Sequence, residues 1–176
     1  MPRILAVFGL LLGAVAAAPD QPAVTSSTRP VRLIRTWYDS VKSPAGDQQR
    51  RVDLFYDYDQ ATAFERTYTL DGQLLSSRRL ESNPPGPSQE EIQEAFDIVR
   101  ADPEFARTLQ RFSADLEGGF LIEERPGTAC GTGARCLLVQ IVSPDHSGLI
   151  RVVAVDLVKR DIPYRMFVPS EHPGVK

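Results

Sequence analysis

Few residues in this chain could do chemistry, and their spacing limits what each can do. His146 stands between Asp145 and Ser147 in the segment SPDHS. A catalytic triad needs side chains that converge from separate elements, whereas neighbours along a turn point apart. The second histidine, His172, lies in the terminal segment SEHPGVK and could share a metal ion with His146 only if that segment folded back. We therefore predict no metal site and no cofactor.

Four acidic side chains lie close together at one predicted hairpin end: Asp53, Asp57, Asp59 and Glu65. Hard cations such as Ca²⁺ take six or more oxygen ligands, usually from a loop with a glycine at its sharp turn, and this stretch lacks that glycine. Carboxylate pairs in acid–base catalysis require one member to be desolvated. We predict solvated strand edges here. A small secreted hydrolase that uses Asp53, Asp57 and Glu65 remains the alternative.

The first 18 residues, MPRILAVFGLLLGAVAAA, have the pattern of a secretory signal peptide. Arg3 precedes an apolar run, and small residues that suit cleavage follow it before Pro19. The apolar run is too short to span a bilayer comfortably. We predict a secreted or periplasmic protein with no stable membrane anchor once the signal peptide is removed.

The chain has two cysteines, Cys130 and Cys136, which enclose the segment CGTGARC. Export places them in an oxidising compartment, which favours a disulfide bond. The alternative, a redox-active pair, lacks the C-x-x-C spacing that lowers a thiol pKa. We predict a disulfide that staples a short loop.

Charge argues against one class of partner. The chain has 20 basic and 23 acidic side chains, and removal of residues 1–18 takes away one basic side chain and no acidic one. Binding of nucleic acid depends on a basic surface that neutralises phosphates. We predict no nucleic-acid partner.

The clearest helical signal lies in residues 88–112, SQEEIQEAFDIVRADPEFARTLQRF. Ser88 and Glu91 have the spacing of a capping box, which predicts a helix that begins at residue 89 or 90. Apolar residues then recur at three- and four-residue spacing and form one stripe. Asp102 and Pro103 interrupt the run, because proline cannot donate within a continuing helix but suits the first turn of a new one. We predict a kink or break near Ala101.

Short strands precede and follow this helix. Residues 31–40, 51–58, 61–70 and 73–80 predict an antiparallel meander, with Asp71 and Gly72 at a hairpin turn that requires positive φ at both positions. Residues 120–124, 136–142, 149–157 and 162–168 predict further strands after the helix. In residues 149–157 both faces are apolar. The helix can cover only one of them, so the other needs the N-terminal meander, a second chain or a partner.

We therefore expect an α+β fold, in which an antiparallel sheet carries one kinked helix in the cystatin-like order of a helix followed by four strands. The predicted segments are a signal peptide at 1–18, a flexible leader at 19–30, one domain at 31–168 and a flexible tail at 169–176.

Residues 87–105, PSQEEIQEAFDIVRADPEF, resemble the opening helix of the small N-terminal domains that precede the catalytic domain in copper amine oxidases. The segments GFLIEERPG and LIRVVAVDL and the turn after them fit the same domain in order, so the resemblance covers residues 87–168. It implies a cystatin-like fold and an accessory, non-catalytic role. It does not imply oxidase activity. That family's cofactor tyrosine follows an asparagine, whereas the only asparagine here, Asn83, precedes a proline, and its copper needs three histidines where this chain has two.

Five aromatic residues of the meander form a candidate interaction surface: Trp37, Tyr56, Tyr58, Phe64 and Tyr68. Core packing is the alternative for these side chains, but tyrosine and tryptophan also supply large contact area with a polar group. We expect an exported binding or accessory module that is not an enzyme and that has a protein or peptide partner. A structural homodimer, with sheets packed through the second apolar face, is a further alternative.

Overall fold

The computed structural model describes residues 31–44, 46–80 and 85–171. The predicted signal peptide, the predicted leader, His172 and the rest of the tail after it lie outside these residues. In the described ranges, no helix has the length and the apolar character needed to cross a membrane.

The first sheet consists of four antiparallel strands that pair in chain order. They are β1 (Val31–Ser43), β2 (Gly46–Asp57), β3 (Thr62–Thr69) and β4 (Leu74–Leu80). The predicted hairpin turn joins β3 to β4, where the amide of Gly72 donates to the carbonyl of Thr69. Only Gly72 has positive φ in this turn, at 92°. The expectation of positive φ at Asp71 as well is wrong, because the turn begins at Thr69 and places a single left-handed residue at its end.

Two helices follow, α1 (Gln89–Ala101) and α2 (Pro103–Phe112). Ser88 caps α1 in a complete capping box with Glu91, as the sequence predicts. Asp102 has φ −73° and ψ 126°, which ends α1, and its side chain accepts from the amides of Glu104 and Phe105 to cap α2. The break near Ala101 is confirmed, but it separates two helices rather than bending one.

The second sheet contains β5 (Asp115–Ile122), β6 (Cys136–Val142), β7 (Leu149–Asp156) and β8 (Asp161–Tyr164), paired antiparallel in chain order. A short 3-10 helix, Pro169–Glu171, follows. The main core lies between the helices and this sheet and includes Val99, Phe105 and Leu137, all fully buried.

The other face of the second sheet is also covered. Cys136 and Ala154 on that face pack with Ile122, Cys130 and Phe167 in a second buried cluster. The disulfide segment and the chain after β8 therefore cover the face for which we expected the meander, a second chain or a partner. A homodimer formed through that face has no support in this packing.

The predicted fold class is wrong in its architecture. The chain forms two antiparallel sheets of four strands and two helices, and strands come first, so it does not have the order of one helix followed by four strands. Within the described ranges β4 pairs with β3 alone and β5 with β6 alone, so the meander is a sheet of its own. Hydrophobic periodicity shows which face of a strand is apolar, but it does not show which strands pair.

Candidate binding surface

A buried polar cluster joins the first sheet, α1 and the segment before β6. We call it the Glu91 cluster; it consists of Tyr58, Ser88, Glu91 and Arg135. The carboxylate of Glu91 is fully buried. It accepts from the amide of Ser88 at 2.8 Å, from Nη2 of Arg135 at 2.8 Å, from Nε of Arg135 and from the hydroxyl of Tyr58. The guanidinium carbon of Arg135 lies 4.2 Å from the ring centroid of Tyr56.

The charges of this cluster stabilise one another. Burial alone raises the pKa of Glu91, but the hydrogen bonds and positive charge of Arg135 outweigh it and hold that pKa below its usual value. Burial lowers the pKa of Arg135, but the Glu91 carboxylate raises it by more. The pKa of Arg135 is therefore above its usual value. Burial and the adjacent Glu91 charge raise the pKa of Tyr58. The result is an ion pair with a neutral phenol as a further donor, which suits a structural joint because each carboxylate oxygen is saturated by donors.

A cavity of about 590 Å³ opens beside this cluster. Its walls come from the adjoining ends of β2, β3 and β4, from the end of β5 and from the disulfide segment. Arg79, Glu123 and Arg135 are its charged lining residues, and Leu80, Leu121 and Ile122 are its large aliphatic ones. None of the three carboxylates of the hydrolase alternative lines it.

Those three carboxylates do not converge. Asp53 accepts from the hydroxyl of Thr36 at 2.9 Å and lies 3.2 Å from Arg51. Asp57 accepts from the backbone amides of the turn that follows β2. Glu65 pairs with Arg78 at 2.6 Å on the opposite face of the sheet from Asp53. Each acid is occupied by its own local partner, so no shared catalytic site forms.

Asp145 and Ser147 contact each other, but the side chain of His146 between them points away. Asp145 accepts from the hydroxyls of Ser143 and Ser147, and these hydrogen bonds lower its pKa to about 2. The imidazole of His146 instead contacts Glu117 on β5, with Nε2 3.9 Å from a carboxylate oxygen of Asp115. This pairing could not be predicted from the sequence, since Glu117 is distant from His146 along the chain. In the described ranges, no group of three or more ligating side chains could hold a metal ion.

The disulfide between Cys130 and Cys136 is confirmed. Both residues are buried, and the amide of Cys130 donates to the carboxylate of Glu124 at 3.2 Å. The same carboxylate accepts from the hydroxyl of Tyr164 at 2.7 Å. The loop is therefore anchored to the end of β5 and to β8.

The five predicted surface aromatics are divided among three environments. Tyr56 is 3% exposed and packs under Arg135, while Tyr58 follows β2 and belongs to the Glu91 cluster. Trp37 shares the face of Tyr56, where Arg35 lies 5.1 Å from its ring centroid. Phe64 and Tyr68 lie on the opposite face. The structure thus does not assemble the five into one surface.

The face that holds Phe64 and Tyr68 forms a different surface, which the sequence prediction missed in part. We call it the arginine–aromatic face; its members are Leu33, Tyr38, Arg51, Phe55, Phe64, Arg66, Tyr68, Leu74 and Arg79. Phe55 and Phe64 stack with their centroids 5.3 Å apart. Arg66 covers both rings, and Arg51 lies 4.6 Å from the centroid of Tyr68. Strict alternation along β2 could have suggested that Phe55 belongs to this face. The stacking of arginines on the rings could not be foreseen, because it depends on strand register.

Within the described part of the chain, this face is exposed along its outer strands, whereas Phe55, Phe64 and Tyr68 at its centre are half-buried. Every side-chain hydrogen bond, ion pair and ring contact of its members is to another residue of the same sheet. Tyr38 is 67% exposed and Leu33 is 46% exposed. Clustered aromatic, aliphatic and arginine side chains on an exposed surface are the composition that binding surfaces favour.

Comparison with known proteins adds no identification, since no protein-family model and no curated protein matches the chain. The resemblance of residues 87–168 to the N-terminal domains of copper amine oxidases therefore stays a prediction.

Proposed function

We propose that this protein is an exported, non-catalytic binding module that engages a partner protein through the arginine–aromatic face. The observation that carries the proposal is an open sheet face on which Phe55, Phe64 and Tyr68 lie beneath arginine side chains. Arginine and tyrosine are enriched at the energetic centres of protein interfaces. The guanidinium groups are already ordered by the rings, so binding would cost less side-chain entropy.

Two features support export. The sequence pattern of residues 1–18 predicts a signal peptide, and the disulfide between Cys130 and Cys136 is of the kind that persists in oxidising compartments. The arrangement of the candidate catalytic acids supports a non-catalytic role. Asp53 and Glu65 are each paired with an arginine, and they point to opposite faces of the sheet.

Position-specific crosslinking tests the proposal. A photoreactive amino acid is placed at Leu33 or Tyr38 on the face, and at Arg107 on α2 as the control, which is exposed and far along the chain. The chain is then expressed with its own leader in its native host. We expect the same adduct from Leu33 and Tyr38 and none from Arg107. Equal adducts from all three positions, or none from any of them, would contradict the proposed function.

A further inference from the structure

Charge is unevenly distributed across the arginine–aromatic face. On the side nearer β1, Arg51 lies 3.2 Å from the carboxylate of Asp53, which neutralises it. On the side nearer β4, neither Arg66 nor Arg79 forms an ion pair with a described carboxylate, although Asp53 lies opposite Arg66 in the strand register. Among the described residues, Arg79 donates a hydrogen bond to the hydroxyl of Thr62, at 2.9 Å. The side of the face that borders β4 therefore presents two guanidinium groups that lie outside the ion pairs of the described residues.

The β4 strand is also an open edge. Within the described ranges it pairs only with β3, so its outward backbone groups have no strand partner. Leu74 and Leu75, at its start, are 52% and 45% exposed. An exposed edge of this kind is a template for an added strand, which gains main-chain hydrogen bonds from it.

Resting on the proposed function, we propose that the partner presents an extended acidic segment that adds to the sheet as a strand along β4. Its backbone pairs with β4, and one of its carboxylates binds Arg79. A second carboxylate reaches Arg66 across Ser77, which is opposite Arg66 in the register and small. Apolar side chains of the segment contact Leu74 and Leu75. The acidic residues of the segment thus complement Arg79 near the end of β4, and its apolar residues complement Leu74 and Leu75 at the start of β4.

The stacking on this face favours a peptide over other anionic polymers. Single-stranded nucleic acids bind by stacking their planar bases on exposed aromatic ring faces. Here Arg66 lies over Phe55 and Phe64, and Arg51 lies over Tyr68, so those ring faces are occupied. A guanidinium stacked on a ring keeps its edge donors free, and these match the two oxygens of a carboxylate.

Fluorescence anisotropy with a labelled decapeptide that has glutamates in one half and leucines in the other tests the charge complementarity. We expect saturable binding to the purified chain, and a loss of affinity of about tenfold or more for each of Arg66→Glu and Arg79→Glu. Arg79→Lys keeps the charge but loses the bidentate donor geometry, so its affinity for the peptide should lie between that of the two glutamate variants and that of the unchanged chain. Arg107→Glu makes the same charge change on α2 and should bind as the unchanged chain does. An equal loss for Arg107→Glu would overturn the proposal.

A second arm tests strand addition. The same peptide with its alternate amides N-methylated, on the edge that would pair with β4, should lose binding because it cannot donate to the strand. Undiminished binding of the methylated peptide would overturn the proposed pairing. A heparin chain that binds equally well and depends equally on Arg66 and Arg79 would assign the face to an anionic polysaccharide instead. A dimer in sedimentation without peptide that dissociates in Arg79→Glu would assign the β4 edge to a second copy.

The two proposals can fail separately. Adducts at Leu33 and Tyr38 without peptide binding would leave the face as a binding surface and remove the acidic partner. Peptide binding that is unaffected by Arg66→Glu and Arg79→Glu would remove the assignment to β4 even if the adducts formed. Absence of both adducts and peptide binding would remove the proposed function itself.

Discussion

The two sheets carry similar side chains but bury them very differently. In the second sheet Leu137, Val139 and Val153 are fully buried, because helices cover one face and the disulfide segment with Phe167 covers the other. In the first sheet Val52 and Leu54 are buried on one face, whereas Leu33 and Leu74 on the other are about half exposed. The difference teaches that the burial of an apolar strand residue depends on which side chains or elements lie over its face.

The two sheets are consequently held together by different forces. Burial of aliphatic side chains stabilises the second sheet. The first sheet depends more on contacts among its own side chains, such as the stacking of Arg66 on Phe64 and the ion pair of Glu65 with Arg78. The Glu91 cluster links the two sheets, since Tyr58 and Arg135 donate to one carboxylate from opposite sides.

Glu91→Ala should have the largest effect, because it leaves the guanidinium of Arg135 buried without its counter-charge. We expect the free energy of unfolding to fall by about 3–5 kcal/mol. Urea denaturation followed by circular dichroism measures this change. Asp97→Ala is the matched control, since Asp97 pairs with Arg100 on the exposed side of the same helix and should cost well under about 1 kcal/mol. Similar losses for the two variants would show that the joint between the sheets contributes little.

Truncation of one leucine in each sheet measures how much a buried and an exposed leucine contribute to the free energy of unfolding. Leu137→Ala removes a fully buried side chain and should lower the free energy of unfolding by about 3 kcal/mol, since a cavity remains in the packed core. Leu74→Ala removes a side chain that is half exposed and should change it by no more than about 0.5 kcal/mol. Both values come from the same urea titrations. A large loss for Leu74→Ala would mean that the first sheet is covered in solution.

Replacement of both cysteines by alanine should have an intermediate effect that is confined to the second sheet. Loop closure over so short a segment contributes about 2 kcal/mol, so the free energy of unfolding should fall by that amount. Amide hydrogen exchange should accelerate around Cys136 and Phe167, which pack in one cluster, and stay unchanged in β2 and β3. Faster exchange in β2 and β3 as well would show that the disulfide supports the joint between the sheets.

Acid should weaken the joint between the sheets. The pKa of Glu91 is lower in the folded chain than in the unfolded one, because Arg135 stabilises the carboxylate despite its burial. Its contribution is therefore complete above the unfolded pKa, about 4.3 for glutamate, and is lost as the pH falls through the folded pKa. Hydrogen bonds from Arg165 lower the pKa of Asp102, and hydrogen bonds from Arg151 and Arg165 lower the pKa of Glu104. Protonation of these two carboxylates therefore also contributes to the loss of stability in acid.

Urea titrations between pH 7 and pH 3 separate the share of Glu91 from the rest. Glu91→Gln should be less stable at pH 7 but should lose less stability on acidification than the unchanged chain. This is the smallest of the expected differences, because the other acids titrate in both proteins. Parallel pH profiles would exclude Glu91 as a source of the acid sensitivity.

Local features of this chain follow from neighbouring residues alone. The capping box of Ser88 and Glu91, the break at Asp102 and Pro103, and the turn at Gly72 each depend on backbone groups within a few residues. The disulfide follows from the presence of only two cysteines, which lie six residues apart in the chain. These predictions succeed because the partners that satisfy each group are adjacent in the chain.

Tertiary structure decided how these pieces combine. Glu91 was readable as a cap, but its pairing with Arg135, 44 residues away, was not, because the sequence does not specify which distant charge shares its burial. The same limit applies to the two sheets and to the arginine–aromatic face, which exist only in the observed strand register. The sequence by itself determined the elements and the helix caps, since local hydrogen bonds and backbone preferences act over a few residues. It did not determine the strand ends: β5 spans Asp115–Ile122 and β8 spans Asp161–Tyr164, against the predicted 120–124 and 162–168. Only the packing of distant elements decided which faces were buried and which remained open, because burial depends on what covers a surface.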